Sequence, residues 1–170
     1  MGDFEKFEKK LSSRALRAIA GHWDNARVGR LMPGWDDLAP GVLERHFALL
    51  WGFQFEPSSQ EFVGRLAGTH VKEWLGANFW GARLREIHPP PVYERAQLFL
   101  SKVLTVPAAG YCSGSLFTVA GHTVKGERIA LPLASDGKTG EGVLGASYFE
   151  PTQAAGPVEL VFENMKWFAL

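Results

Sequence analysis

The sequence predicts one α+β domain with a five-stranded antiparallel sheet, short helices on one face of that sheet and an additional helix at the N-terminus. Three observations carry this expectation. Strand-like runs come in two groups, Ala48 to Glu56 with Glu61 to Ala67, and then Gly114 to Ala120, Glu127 to Leu133 and Gly142 to Phe149. Short helical signals and one longer helix lie between the groups, and a long amphipathic helix precedes them both. A chain of 170 residues, 46% hydrophobic, is the right size for one core and too small for a second catalytic domain.

At the N-terminus, Phe4, Phe7, Leu11, Ala15, Leu16, Ile19 and Trp23 recur at steps of three and four and predict one helix from Phe4 to about Ala26. Gly29 and Pro33-Gly34 end it. The five-turn stripe is longer than strands of ~5–6 residues would be expected to cover. Phe4, Phe7 and Leu11 are therefore expected to form an interface, either with a second copy or with an output partner. The competing reading is that this helix folds back and completes the core.

After Pro40, well suited to a first helical turn, a brief helix runs from Gly41 to His46. The two strands of the first group are joined by Pro57-Ser58-Ser59 and read as a hairpin. Thr69 can cap a helix to Leu75, stopped by Gly76, and Ala77 to Ile87 holds one or two short turns. His88-Pro89-Pro90-Pro91 then breaks the chain. Val92, Ala96, Phe99, Leu100 and Val103 mark a helix of about three turns, followed by the three-strand meander. In the tail, VELVFE suits one more strand, and MKWFAL is open as to type. The expected division is an N-terminal helical extension over 1–28, the domain over 29–150 and a C-terminal extension over 151–170.

Charge and composition exclude several functions. Eighteen basic residues balance eighteen acidic ones, so no global field attracts nucleic acid or an anionic membrane. No run of eighteen apolar residues and no signal peptide occur, and the single Cys112 suits a reducing compartment, so a cytoplasmic location is expected. The five histidines are scattered, with no metal-binding spacing. The sequence contains no nucleophile elbow, Walker loop or dinucleotide fingerprint. Cys112-Ser113-Gly114-Ser115 opens a strand, where a cysteine reads as a small buried hydrophobe.

The order of elements is that of the PAS fold, and the sequence resembles a family of small PAS-like proteins of alphaproteobacteria. The residues that carry the resemblance are Trp23, then Gly29-Arg30-Leu31-Met32-Pro33 with Asp36-Asp37 and Pro40, Arg65-Leu66-Ala67-Gly68-Thr69, and Leu131-Pro132-Leu133 with Asp136-Gly137. One departure is Ala39, where such proteins carry an acidic residue before the proline. The resemblance implies a sensory or regulatory role, without catalysis, through a small ligand, a protein partner or both. No kinase, cyclase or DNA-binding segment is visible, so output through another protein is expected. It leaves the cofactor unknown.

Two cofactors of PAS domains can be weighed on residues. Adduct-forming flavin chemistry needs a thiol beside Asn78, and none is present in Gly76 to Trp80. Haem needs an axial ligand near the long helix, where His88 stands, but beside three prolines it reads as a surface turn residue. Arg65 interrupts an apolar run and is expected either to pair with Asp36 or Asp37 or to bind a ligand carboxylate. Phe79, Tyr111 and Phe117 complete the expected ligand-binding set. The alternatives are an adaptor whose core is filled by its own side chains, and a small-molecule enzyme of similar curved-sheet shape.

Overall fold

The computed structural model describes residues 2–170. Seven strands form one antiparallel sheet: β1 (Leu50–Glu56), β2 (Glu61–Ala67), β3 (Ala108–Val119), β4 (His122–Leu133), β5 (Gly142–Phe149), β6 (Val158–Leu160) and β7 (Lys166–Ala169). Their order is β2-β1-β5-β4-β3, with β6 and β7 paired to the two ends of the outer edge of β3. The five expected strands are the first five, and the tail adds two short ones. Those two cover an edge that would otherwise present unpaired backbone groups.

Six α-helices flank the sheet: α1 (Asp3–Lys10), α2 (Arg14–Arg27), α3 (Pro40–Arg45), α4 (Thr69–Leu75), α5 (Leu84–Ile87) and α6 (Pro90–Thr105). The hairpin strands and β5 match expectation closely, and α6 extends the expected helix by two residues at each end. Strand β3 begins earlier than its composition suggests, at Ala108-Ala109-Gly110. These small residues let the sheet slide under α6, where a Cβ on Gly110 would stand 2.8 Å from the rings and methyls of Phe99 and Val103. The β3–β4 turn uses Ala120 and Gly121, both at positive φ, as a tight hairpin between right-twisted strands requires.

The sheet is buried on both faces. On one, α1 and α2 bury Phe4, Phe7, Leu16, Ile19 and Trp23 against Tyr111, Ile129, Leu131, Leu133 and Leu144. On the other, α4, α5 and α6 cover Phe53, Cys112, Ala130 and Val143. The pleat decides this division, because successive residues of a strand point to opposite faces.

The N-terminal segment departs from expectation in two ways. It is two helices, broken at Leu11-Ser12-Ser13. Glu127 of β4 accepts hydrogen bonds from the backbone N–H groups of Ser12 (2.9 Å) and Ser13 (2.8 Å), and from the Tyr111 hydroxyl (3.0 Å). Ser13 then caps α2 by accepting from the Leu16 N–H. A continuous helix would keep those N–H groups inside its own ladder and leave the buried Glu127 carboxylate without them. The second departure concerns Phe4, Phe7 and Leu11, which are buried at 8, 0 and 3% exposure and are not an exposed interface. The bend lays α1 along the sheet, and the C-terminal strand β7 supplies the missing cover, with the Phe168 ring 5.7 Å from that of Phe7. The stripe is used up inside the monomer, as the competing core reading had it.

Two outcomes are expected. Replacing Glu127 with Ala orphans two backbone donors and a phenol, and should lower unfolding free energy in urea by about 3 kcal/mol, against about 1 for Tyr111→Phe. Phe7→Ala should cost about 3–5 kcal/mol as a core truncation. In size-exclusion chromatography it should leave the oligomeric state of the still-folded fraction unchanged.

Candidate functional site

Between the sheet and the α4–α6 layer lies a cavity of about 50 Å³. A single water needs roughly 10–15 Å³ by the same measure, so the void exceeds one water. Its walls are mostly aromatic and aliphatic, with Phe53, Val71, Phe79, Leu84, Leu100 and Phe117 among them. The polar groups lining it include His88, Arg128 and Ser147.

Two glycines shape these walls. A Cβ on Gly64 would stand 2.0 Å from the Phe79 carbonyl oxygen, so only glycine lets the segment after α4 run hard against β2. That segment is pinned there by Gly64 N–H to Ala82 O (2.9 Å) and Gly81 N–H to Gly64 O (2.8 Å), which sets Phe79 into the wall. At Gly145 a Cβ would fall 2.2 Å from the indole of Trp51. The indole lies flat on that bare backbone and donates its Nε1–H to the Ser147 hydroxyl oxygen at 3.0 Å.

Arg128 is 3% exposed. Its Nε donates to the Ser147 hydroxyl (3.3 Å), Nη1 to the Val161 carbonyl (2.9 Å) and Nη2 to the Leu116 carbonyl (3.1 Å), and its guanidinium lies 4.5 Å over the Phe162 ring. Burial pulls its pKa down, while the neighbouring Cys112, its partner across the β3–β4 ladder, acts in the opposite sense. An arginine nonetheless stays protonated in a protein. Burial pushes the Cys112 thiol up to about 11, although Arg128 pulls the other way, so it is a thiol at neutral pH. The His88 imidazole is depressed to about 4, first by burial and then by the Arg128 charge. The corner therefore carries one positive charge at neutral pH.

The expected site residues divide. Phe79 and Phe117 line the cavity. Tyr111 does not, because it points to the opposite face, where it meets Glu127 and the N-terminal helices. Burial is the first cause raising its pKa. Arg65 is also elsewhere, exposed on β2 in an outer cleft beside Trp35. It donates to the Gln54 side-chain oxygen at 3.1 Å and lies 4.9 Å over the Trp35 ring. Of its two expected carboxylate partners, Asp37 is taken: it pairs with Arg30 at 2.8 Å and accepts the Gly34 N–H at 2.7 Å. The Gly34 bond and then Arg30 hold the Asp37 carboxyl below its usual range.

His88 overturns its expectation as a surface turn residue. The turn of α5 carries it inward to 7% exposure. It stands where a haem ligand would, yet about 50 Å³ admits neither a porphyrin nor an isoalloxazine, and the residues around it do not fit either group. Sequence reasoning missed Arg128 and Ser147 and placed His88 at the surface. A signal for Arg128 was present in the adjacent opposite charges Glu127-Arg128, which a strand buried on both faces must send to opposite sides. Trp74, together with His70 and Leu49, lines both the cavity and an outer cleft of about 600 Å³ bordered by Tyr148, Phe149 and the 151–156 loop. Its ring lies 4.5 Å from that of Phe117 and 4.4 Å from that of Phe149.

Among the described residues, no group of histidine, cysteine and carboxylate side chains could hold a metal ion, and no helix is long and apolar enough to cross a membrane. No curated protein sequence matches the chain. Among solved structures, a sensory box sensor histidine kinase from Vibrio cholerae is similar, at 13% identity and a TM-score of 0.49, over 66% of this chain and 90% of that one. The family described as PAS domain matches residues 11–148, a span that takes in α4 to α6, strands β1 to β4, nearly all of β5 and most of the cavity lining. By the extent of that match the chain belongs to the PAS domain family.

Proposed function

We propose that this PAS domain senses a signal by holding a small, largely apolar ligand in the cavity beneath α4 to α6, and passes on its occupancy by contact with another protein. Signal sensing and regulation are the role of the family to which the chain belongs. The observation that carries the ligand reading is the cavity itself. It exceeds a water, is walled by apolar side chains and has a few convergent polar groups at one corner, which is how small-molecule sites are built. A core filled by its own side chains would leave no such space.

The reading includes no catalysis. At neutral pH the corner holds a neutral imidazole, a protonated thiol and a guanidinium, so a buried acid/base pair of the kind a reaction would need is not assembled there. Contact with an output protein would use a surface other than the N-terminal stripe, since Phe4, Phe7 and Leu11 are buried. The neutral charge balance supports a protein partner over nucleic acid, and the lone buried thiol suits the cytoplasm.

A fragment screen by thermal shift tests the ligand reading. Small apolar compounds should raise the melting temperature, and Ala96→Leu, which fills the cavity from α6, should abolish the gain while leaving the protein folded. Hits that bind Ala96→Leu equally well would overturn the reading.

The state of His88 adds a pH dependence. Its pKa falls from 6.5 when unfolded to about 4 when folded, so the unfolded chain binds more protons between these values. Stability should then be full above pH 6.5 and fall as the pH drops towards 4, by about 3 kcal/mol from this group. Urea unfolding of wild type and His88→Gln at pH 7 and pH 4.5 should show a smaller acid loss in the variant.

A further inference from the structure

We propose that the polar corner of the cavity receives the carboxylate of a short-chain monocarboxylic acid, whose hydrocarbon end lies against the apolar wall. This deepens the ligand reading above and rests on it. The first observation is a charge without a counterion. Arg128 is buried, yet every acceptor it meets is neutral: two backbone carbonyls, the Ser147 hydroxyl and the Cys112 sulfur. The nearest carboxylate in sequence, Glu127, points to the other face of the sheet and is engaged by Ser12, Ser13 and Tyr111. A buried cation with no anion is unfavourable, and a ligand carboxylate would remove that penalty.

The second observation is that the neighbouring polar groups also seek an acceptor. Ser147 Oγ accepts from both the Trp51 indole and Arg128 Nε. With both lone pairs taken, its O–H is left to donate. The His88 imidazole lines the same cavity, and as a neutral ring it has one N–H to give. A guanidinium, a hydroxyl and an imidazole therefore line one cavity as donors, with no carboxylate in its lining, which suits a carboxylate and disfavours an amine.

The third observation sets the rest of the ligand. Away from that corner the wall is mainly Phe53, Phe79, Leu84, Leu100 and Phe117, where a second charge would be desolvated. His70, which also lines the cavity, already faces Glu73 at 3.4 Å, so a second carboxylate or a phosphate is disfavoured. The volume of about 50 Å³ limits the chain to a few carbons. Trp74, shared by the cavity and the outer cleft, is the side chain a ligand would pass.

The test compares isosteres on the wild-type protein, so it does not depend on a variant that fails to fold. Acetate, butyrate and hexanoate are titrated at constant ionic strength beside butyramide, 1-butanol, chloride and nitrate, with the indole N–H signals of Trp51 and Trp74 and the Nε–H of Arg128 followed by NMR. Butyrate should shift these signals and bind at least about tenfold more tightly than butyramide. In Arg128→Gln, where folded, that preference should vanish. Butyramide or butanol binding as tightly as butyrate at the same signals would overturn the carboxylate inference and leave the ligand cavity standing. Chloride or nitrate binding as tightly would overturn the monocarboxylate class. No shift with any compound, together with no hit in the fragment screen, would overturn both.

Discussion

The architecture depends on one feature of β4, where two residues of opposite charge stand side by side in a strand buried on both faces. Glu127 and Arg128 cannot pair with each other, because the pleat sends them to opposite sides of the sheet. Each must find its own partners in a low-dielectric environment, where an unsatisfied charge is strongly unfavourable. On one side Glu127 meets this demand by breaking the N-terminal segment into two helices and taking the N–H groups that the break frees. On the other side Arg128 meets it only in part, with neutral acceptors, and so gives the cavity its polar corner.

The C-terminal segment belongs to this arrangement as much as β4 does. The Val161 carbonyl accepts from Arg128, the Phe162 ring lies over its guanidinium, and the Phe162 carbonyl accepts from Arg95 of α6 at 3.0 Å. Strands β6 and β7 hold those residues in place along β3, and Trp167 donates to the Phe99 carbonyl of α6 at 3.1 Å. The tail thus covers a sheet edge, backs the N-terminal helices through Phe168 and closes the cavity around its arginine. This segment lies beyond the residues matched by the family.

Glycine governs the precision of the cavity as much as aromatic bulk does. The bare backbone at Gly64 admits the chain after α4, and the one at Gly145 seats the Trp51 indole that takes up a lone pair of Ser147. Large rings then fill most of the interior, which explains why the void is small although so many aromatic residues surround it.

Sequence by itself determined the order of the five main strands and of α3, α4 and α6, with the turns between them. The hairpin and α6 with its buried Val92, Ala96, Phe99, Leu100 and Val103 follow from local periodicity and turn chemistry. Only the tertiary structure decided which face met which layer. Tyr111 and Cys112 are neighbours in one strand, yet one joins the N-terminal helices and the other the cavity side. The break at Ser12-Ser13 leaves no mark on the apolar spacing, which runs straight through it; beside the local cap by Ser13, it is fixed by a carboxylate more than a hundred residues away. The burial of His88 was hidden for the same reason. Whether a polar side chain is buried depends on partners that only long-range folding brings to it, and periodicity carries no record of them.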